Sequence, residues 1–265
     1  MVRALTEPQH KLIECIEQNK KWIINTTDVA KILGCVYREA KTICLGLLHK
    51  RWFAALGNEH FLLLQSLKNK KLPQLHPLLI GSYLIEPYYF SYRTAIEYHK
   101  FAPKTKSHIY IATTKNRNHC DIRGIHYQIV CVYPRKFFGF EPIIINSKKI
   151  FIADKEKTMI DSVEKFWYAG GIIDVIQILK KNINKLDVSR LVDYAVQMQS
   201  SLLIQRLGYL LDQLNVDFDE QFMLSYSRRS LSYLDPYNNY IIKPQRNEKW
   251  NLMINIPDSL FKNEK

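Results

Sequence analysis

Near the N-terminus, apolar residues fall at helical spacing in neighbouring segments, and the period then changes. Val29, Ile32 and Leu33 form one short stripe, which Thr26 or Thr27 can cap and Gly34 can close in a left-handed conformation. A second stripe, Val36, Ala40, Ile43 and Leu47, starts near residue 36 and leaves Tyr37, Arg38 and Lys41 on another face. Leu45 and Leu48 lie off that stripe, with helix one, a second domain or another subunit as their available destinations. After Lys50 and Arg51, apolar runs at 52–56 and 61–64 flank Gly57-Asn58, a hairpin signal. Upstream, Thr6-x-x-Gln9 matches a capping box, Pro8 sits in the tolerant first turn, and Leu12, Ile13 and Ile16 make a core stripe. This order predicts a winged helix-turn-helix over residues 1–66.

Residues 67–77 turn polar and basic, with Lys68-Asn69-Lys70-Lys71, Pro73 and Pro77, and predict a linker. Beyond it, residues 78–265 predict a second domain. Ser91 can cap a helix reaching His99, and strand-like runs rich in Ile, Val and Tyr follow at 109–113, 125–132, 143–146 and 149–153. From Asp154 the period becomes helical, over 157–166, 172–179, 188–197 and 202–214, and a late strand is expected within 249–255. The expected class is α+β: a winged helix-turn-helix followed by a mixed α/β C-terminal domain with a small mixed or antiparallel sheet and a helical subdomain.

Charge changes the picture next. Thirty-eight Lys and Arg against 25 Asp and Glu give a net charge of +13, which favours a polyanionic partner. On the predicted second helix, Tyr37, Arg38 and Lys41 are the groove-facing candidates, with Arg38 the base reader because a guanidinium can grip guanine with two hydrogen bonds. Lys31, Lys50, Arg51 and wing-tip Asn58 are candidate phosphate contacts. In the second domain, Lys115, Arg117, Arg123, Arg206, Arg228 and Arg229 are candidates for one charged surface, facing an acidic protein or the DNA backbone.

The five cysteines form no Cys-x-x-Cys pair and have no histidine at zinc-ligand spacing, so reduced thiols are expected. The N-terminus turns polar at once, which argues against a signal peptide, and the most apolar long segment, 78–90, is broken by Gly81, Glu86 and Pro87. A cytoplasmic protein with no membrane partner is expected.

Catalytic patterns are sparse. Asp154-Lys155-Glu156-Lys157 lacks the carboxylate two places before a lysine that a metal-dependent nuclease needs, and reads as a helix start with Asp154 as cap. Gly81-Ser82 and Asp217-x-Asp219 have the residue types of a nucleotidyltransferase but lie too far apart for its motif. Gly170-Gly171 lacks the Lys-Ser or Lys-Thr of a phosphate loop. His99, His108, His119 and His126 have no spacing that demands a metal. No metal and no cofactor are expected.

A series of blocks in the second domain carries a further signal. It runs through Tyr89-Phe90-Ser91-Tyr92-Arg93-Thr94-Ala95, Ile109-Tyr110-Ile111-Ala112-Thr113, Phe138-Gly139, and Ile152-Ala153-Asp154-Lys155-Glu156-Lys157-Thr158-Met159-Ile160-Asp161. It continues with Gly170-Gly171-Ile172, Arg206-Leu207-Gly208-Tyr209-Leu210-Leu211, Leu234-Asp235-Pro236 and Lys249-Trp250-Asn251-Leu252. Behind a winged helix-turn-helix, this series resembles the AbiEi-type antitoxins of type IV toxin–antitoxin systems, known from bacterial abortive infection. The resemblance implies a non-catalytic two-part protein: an N-terminal domain that represses its own operon at inverted repeats, with two copies on DNA, and a C-terminal domain that counters a nucleotidyltransferase-like toxin. It also implies that Asp154, Glu156 and Asp161 are fold determinants, with Lys157 free to pair with a carboxylate. One departure is that Gly57-Asn58-Glu59 places an acid near the expected DNA backbone. Two alternatives stay open: a metal-dependent nucleic-acid-processing enzyme built on Asp154, Glu156 and Asp161, and a DNA-binding regulator without a toxin partner.

Overall fold

The computed structural model describes residues 4–68, 71–105, 108–227, 230–237 and 243–261. It is an α+β fold whose described strands form three sheets. By compactness the chain divides into two units: residues 1–88 with 119–127 and 144–150, and the remainder.

In the first unit, α1 (Glu7–Gln18) starts at Thr6 with the expected capping box, the Thr6 amide donating to Gln9 Oε1 at 3.1 Å. Leu12, Ile13 and Ile16 are buried as the stripe requires. A strand too short to show a period, β1 (Ile23–Asn25), precedes α2 (Thr26–Leu33). Because β1 keeps Asn25 extended, the cap falls on Asn25 rather than on Thr26 or Thr27: its Oδ1 accepts from the Asp28 amide at 2.8 Å, and Asp28 Oδ2 accepts from the Asn25 amide at 3.2 Å. Against the effect of its burial, an ion pair with Lys21 at 3.0 Å, that amide and the field of Lys31 hold Asp28 below the usual carboxylate value. Gly34 closes α2 at φ +62, where a side chain would be strained.

Helix α3 (Tyr37–His49) follows after a three-residue step, Gly34 to Val36. Its core face is Ala40, Cys44 and Leu47, all fully buried. Val36, expected in that stripe, is the N-cap and is 64% exposed, because the helix begins one residue later and turns it outward. Leu48 packs against the same core. Strands β2 (Phe53–Ala55) and β3 (His60–Leu63) form the expected hairpin, and β1 adds a third antiparallel strand in the order β1-β3-β2. The described residues of 67–77, expected as a linker, belong to this unit. Leu67 and Leu72 pack on its core, the Leu67 amide donates to Glu17 Oε1 at 2.9 Å, and α4 (Pro77–Gly81) follows.

The largest sheet contains β4 (Tyr89–Phe90), β5 (His108–Thr113), β6 (Cys120–Ile122), β7 (Ile125–Cys131), β8 (Phe140–Ile145) and β9 (Lys148–Ala153), in the order β6-β7-β5-β4-β9-β8. It is mixed, since β4 runs antiparallel to β5 and parallel to β9. Helix α5 (Tyr92–Tyr98) follows β4 directly. The second unit then becomes helical, with α6 (Lys155–Glu164), α7 (Ile172–Asn182), α8 (Val188–Gln197), α9 (Ser201–Gln213) and α10 (Glu220–Ser225). A small sheet of β10 (Ser232–Tyr233), β11 (Gln245–Asn247) and β12 (Leu252–Ile254), ordered β10-β12-β11, follows the helices.

Helix α6 is buried at every position from Glu156 to Val163, so it has no solvent face there and no amphipathic period. Trp250 anchors the small sheet. Its buried indole donates to Asp212 Oδ2 at 2.6 Å, and a Cβ on Gly208 of α9 would come within 2.3 Å of its ring. Among the described residues no helix is long and apolar enough to cross a membrane.

Candidate nucleic-acid interface

Helix α3 has one face held in the core and one face free of it. Opposite Ala40, Cys44 and Leu47 lie the exposed Tyr37, Arg38, Lys41, Thr42, Leu45 and His49. Arg38 borders a shallow cleft of about 650 Å³ between α1 and α3, opposite Glu7 and Lys11. The Thr42 hydroxyl donates back to the Arg38 carbonyl at 3.0 Å, a common choice for Thr inside a helix.

Tyr37 and Lys41 meet the hairpin tip. The Tyr37 hydroxyl donates to one oxygen of Glu59, and Lys41 Nζ donates to the other at 2.8 Å. Glu59 stands in a tight turn in which the His60 amide donates to the Gly57 carbonyl at 3.0 Å, with Asn58 at φ +50 and Glu59 at φ +56. Two central residues at positive φ define a type I′ hairpin turn, a position that suits Asn followed by Gly. The left-handed residues are thus Asn58 and Glu59, one place later than the Gly57-Asn58 signal suggests. Glu at the second position carries a steric cost of about 1 kcal/mol, and in return its carboxylate reaches α3.

Gly57 is required by close approach instead. Its amide donates to the Tyr83 carbonyl at 2.6 Å, and a Cβ would lie 2.3 Å from the Leu84 carbonyl oxygen. The tip is braced further by Asn58 Nδ2 donating to Glu86 at 3.3 Å and by His60 packing on the Tyr83 ring at 4.8 Å. Lys148 Nζ lies 3.0 Å from the centre of that ring. Burial pushes Lys148 down to about 8, opposed by the charge of Glu86.

The remaining phosphate candidates divide. Lys31, in the last turn of α2, and Arg51, just past α3 at φ +59, are exposed. Lys50 is committed elsewhere: its ammonium donates to the Ala4 carbonyl and to Gln9 Oε1, both at 2.7 Å, and so ties the end of α3 to the start of α1.

Of the six basic residues expected on one second-domain surface, two are committed to backbone carbonyls. Lys115 is exposed and Arg117 half-buried after β5. Arg123 belongs to the first unit, where its guanidinium donates to the carbonyls of Leu63 at 2.5 Å and Pro73 at 3.0 Å. Arg206 is buried, donating to the Leu234 carbonyl at 3.0 Å and the Glu164 carbonyl at 3.4 Å, with Phe166 beneath it. Burial pushes its guanidinium down to about 10, against the pull of Asp235. Arg228 and Arg229 lie outside the described residues.

The carboxylates weighed for metal chemistry also go separate ways. Asp154 caps α6 through the Lys157 amide at 2.7 Å and accepts from the Tyr194 hydroxyl at 2.9 Å. Glu156 accepts from the Asp187 amide at 2.8 Å and faces Arg190 at 3.5 Å. Asp161 forms a buried cluster with Lys157, Tyr89 and Ser91. Of the four histidines, His119 and His126 are neighbours at 5.1 Å, with Asp121 bonded to His126 at 2.9 Å, whereas His99 meets the Ala153 carbonyl at 2.8 Å. Thr42 and Glu59 escaped the sequence reading as α3-face residues. Their signals were the helical offset of Thr42 from Arg38, and an acid where a hairpin turn ordinarily has glycine.

No protein-family model and no curated protein matches the chain. Among solved structures, the fold is similar to the crystal structure of the RV2827C protein from Mycobacterium tuberculosis, with a TM-score of 0.66 and 12% identity over 98% of this chain and 94% of that one. At that identity the likeness concerns the fold, and it extends over nearly the full length of both chains.

Proposed function

We propose that the first unit is a winged helix-turn-helix that binds double-stranded DNA, with α3 as the recognition helix, the β2–β3 hairpin as the wing, and the protein's own promoter as the target. The observation that carries this reading is the solvent-facing side of α3, where Tyr37, Arg38, Lys41, Thr42 and Leu45 sit on a helix fixed from behind by Ala40, Cys44 and Leu47. The net charge of +13 supports a polyanionic partner. On the resemblance of the blocks between Tyr89 and Leu252 to AbiEi-type antitoxins, the second unit counters a nucleotidyltransferase-like toxin without catalysis of its own. Two copies would occupy the inverted repeats of the operator.

The test separates the two activities. Arg38→Ala combined with Lys41→Ala is expected to weaken retardation of a promoter duplex by at least tenfold, since one good Arg–guanine pair alone is worth roughly 1–3 kcal/mol. Rescue of cells from the neighbouring toxin should be unchanged. Retained DNA binding with lost rescue would overturn this division of labour.

Glu59 gives a second expectation. It holds the two α3 side chains that a DNA phosphate would take, yet both ends of the Lys41 pair are substantially exposed, so solvent already screens the attraction. Glu59→Gln should tighten DNA binding about three- to tenfold at low salt and steepen the logarithmic salt dependence by about one unit, as one more cation becomes available to phosphate. Fluorescence anisotropy across a salt series reads both numbers. Identical slopes for the two proteins would show that Lys41, once released from Glu59, gains no phosphate contact.

A further inference from the structure

Leu45 is unusual for its surroundings. It is 46% exposed in the third turn of α3, although α3 has a complete core face of its own in Ala40, Cys44 and Leu47. Its neighbours on the exposed side are Arg38 one pair of turns before it, Lys41 and Thr42 one turn before, and His49 one turn after. Arg38, Lys41, Thr42 and Leu45 therefore follow the spacing i, i+3, i+4, i+7, the spacing by which homeodomain recognition helices read the major groove. Within this set the chemistry is divided. Arg38 and Lys41 offer donors, whereas Thr42 has its hydroxyl committed to the Arg38 carbonyl and offers its methyl, and Leu45 offers only apolar surface.

We infer that Leu45 is a specificity-determining residue that takes the C5-methyl group of a thymine. This inference rests on the DNA-binding reading above. In the major groove a thymine methyl is the one apolar feature of a base edge, and apolar side chains are its matching contacts. The cations beside Leu45 suit a groove lined by phosphates better than an apolar protein partner. The seven helical steps from Arg38 to Leu45 span about 10 Å, or about three base-pair steps at 3.4 Å each. The half-site should accordingly hold a guanine for Arg38 and a thymine for Leu45 about three base pairs apart.

The experiment starts from the half-site that the full-length protein selects from randomised duplexes. Each thymine is then replaced singly by deoxyuridine, which removes the methyl and keeps the base pair. For the wild-type protein, one replacement about three pairs from the essential guanine should weaken binding about fourfold, the value of one buried methyl-sized group. For Leu45→Ala the same replacement should have no effect. Leu45 is outside the core, so this variant should keep the wild-type unfolding transition. Deoxyuridine without effect at every position, or an equal loss in both proteins, overturns the role of Leu45 while the DNA-binding reading stands. Concentration-dependent dimerisation that disappears in Leu45→Ala, with no thymine dependence, assigns the residue to a contact between copies and overturns the inference too. Failure of the wild-type protein to select any sequence overturns the DNA-binding reading itself.

Discussion

Asp161→Ala is expected to destabilise the second unit by about 3–5 kcal/mol, the usual cost of leaving one member of a buried ion pair without its partner. Lys157 and Asp161 stand one turn apart on α6, with side chains 0% and 1% exposed, and they bond directly. Hydroxyls add to the pair: Asp161 accepts from Ser91 Oγ at 2.6 Å and from the Tyr89 hydroxyl at 3.1 Å, and Lys157 donates to that hydroxyl at 3.0 Å. Burial, reinforced by the charge of Asp161, raises the Tyr89 phenol well above its ordinary value, so it keeps the proton it donates. The Lys157 stem is boxed in as well, since a Cβ on Gly139 would lie 2.9 Å from its own Cβ. An ammonium abandoned there has no route to water. Lys157→Met should cost less, because Asp161 keeps two hydroxyl donors. The double change Lys157→Met, Asp161→Leu should recover much of the loss, since replacing a whole buried pair by apolar groups is often close to neutral. Urea unfolding followed through Trp167 and Trp250, both in this unit, measures all three. A double variant no more stable than Asp161→Ala alone would contradict this account.

That cluster also shows where sequence reading stops. A lysine and an aspartate four residues apart on a predicted helix are visible in the chain, and so is Asp154 as the cap. What the pattern conceals is that α6 has no solvent face, because eight consecutive buried residues leave no period to detect. Arg206 misled for a related reason: backbone carbonyls hold it, and carbonyls are equally available to every arginine in any sequence. Arg123 and Lys50 repeat the lesson, each ending on carbonyl or amide oxygens up to 60 residues away. Residue type announces a charge but not its direction. By contrast the order of elements in the first 64 residues was legible, since helical and alternating periods, Gly34 and the capping box at Thr6 are all local features. The exceptions were the three-residue strand β1, too short for a period, and through it the shift of the α2 cap to Asn25.

Gly57→Ala should destabilise the first unit by about 3 kcal/mol, at the upper end of what overpacking usually costs. The contrast with Gly34 makes the reason plain. At Gly34 a methyl group would meet nothing within 4 Å, and the penalty is the left-handed backbone alone, about 1 kcal/mol. At Gly57 the backbone is ordinary, but the new Cβ would lie 2.3 Å from the Leu84 carbonyl oxygen and 2.7 Å from that of Tyr83. Both obstacles are main chain, so no rotamer relieves them, and separating the two segments far enough would also break the Gly57–Tyr83 hydrogen bond of 2.6 Å. The reporters are Trp22 and Trp52, which lie in this unit and pack on its core. Their unfolding midpoint should fall several-fold further in Gly57→Ala than in Gly34→Ala. The displaced tip should also carry Glu59 away from Tyr37 and Lys41, so the surviving folded protein should acquire the steeper salt dependence expected of Glu59→Gln. Equal destabilisation by the two glycine substitutions would mean that the hairpin yields to the methyl group, and that the bracing of its tip by residues 83 and 84 is weak.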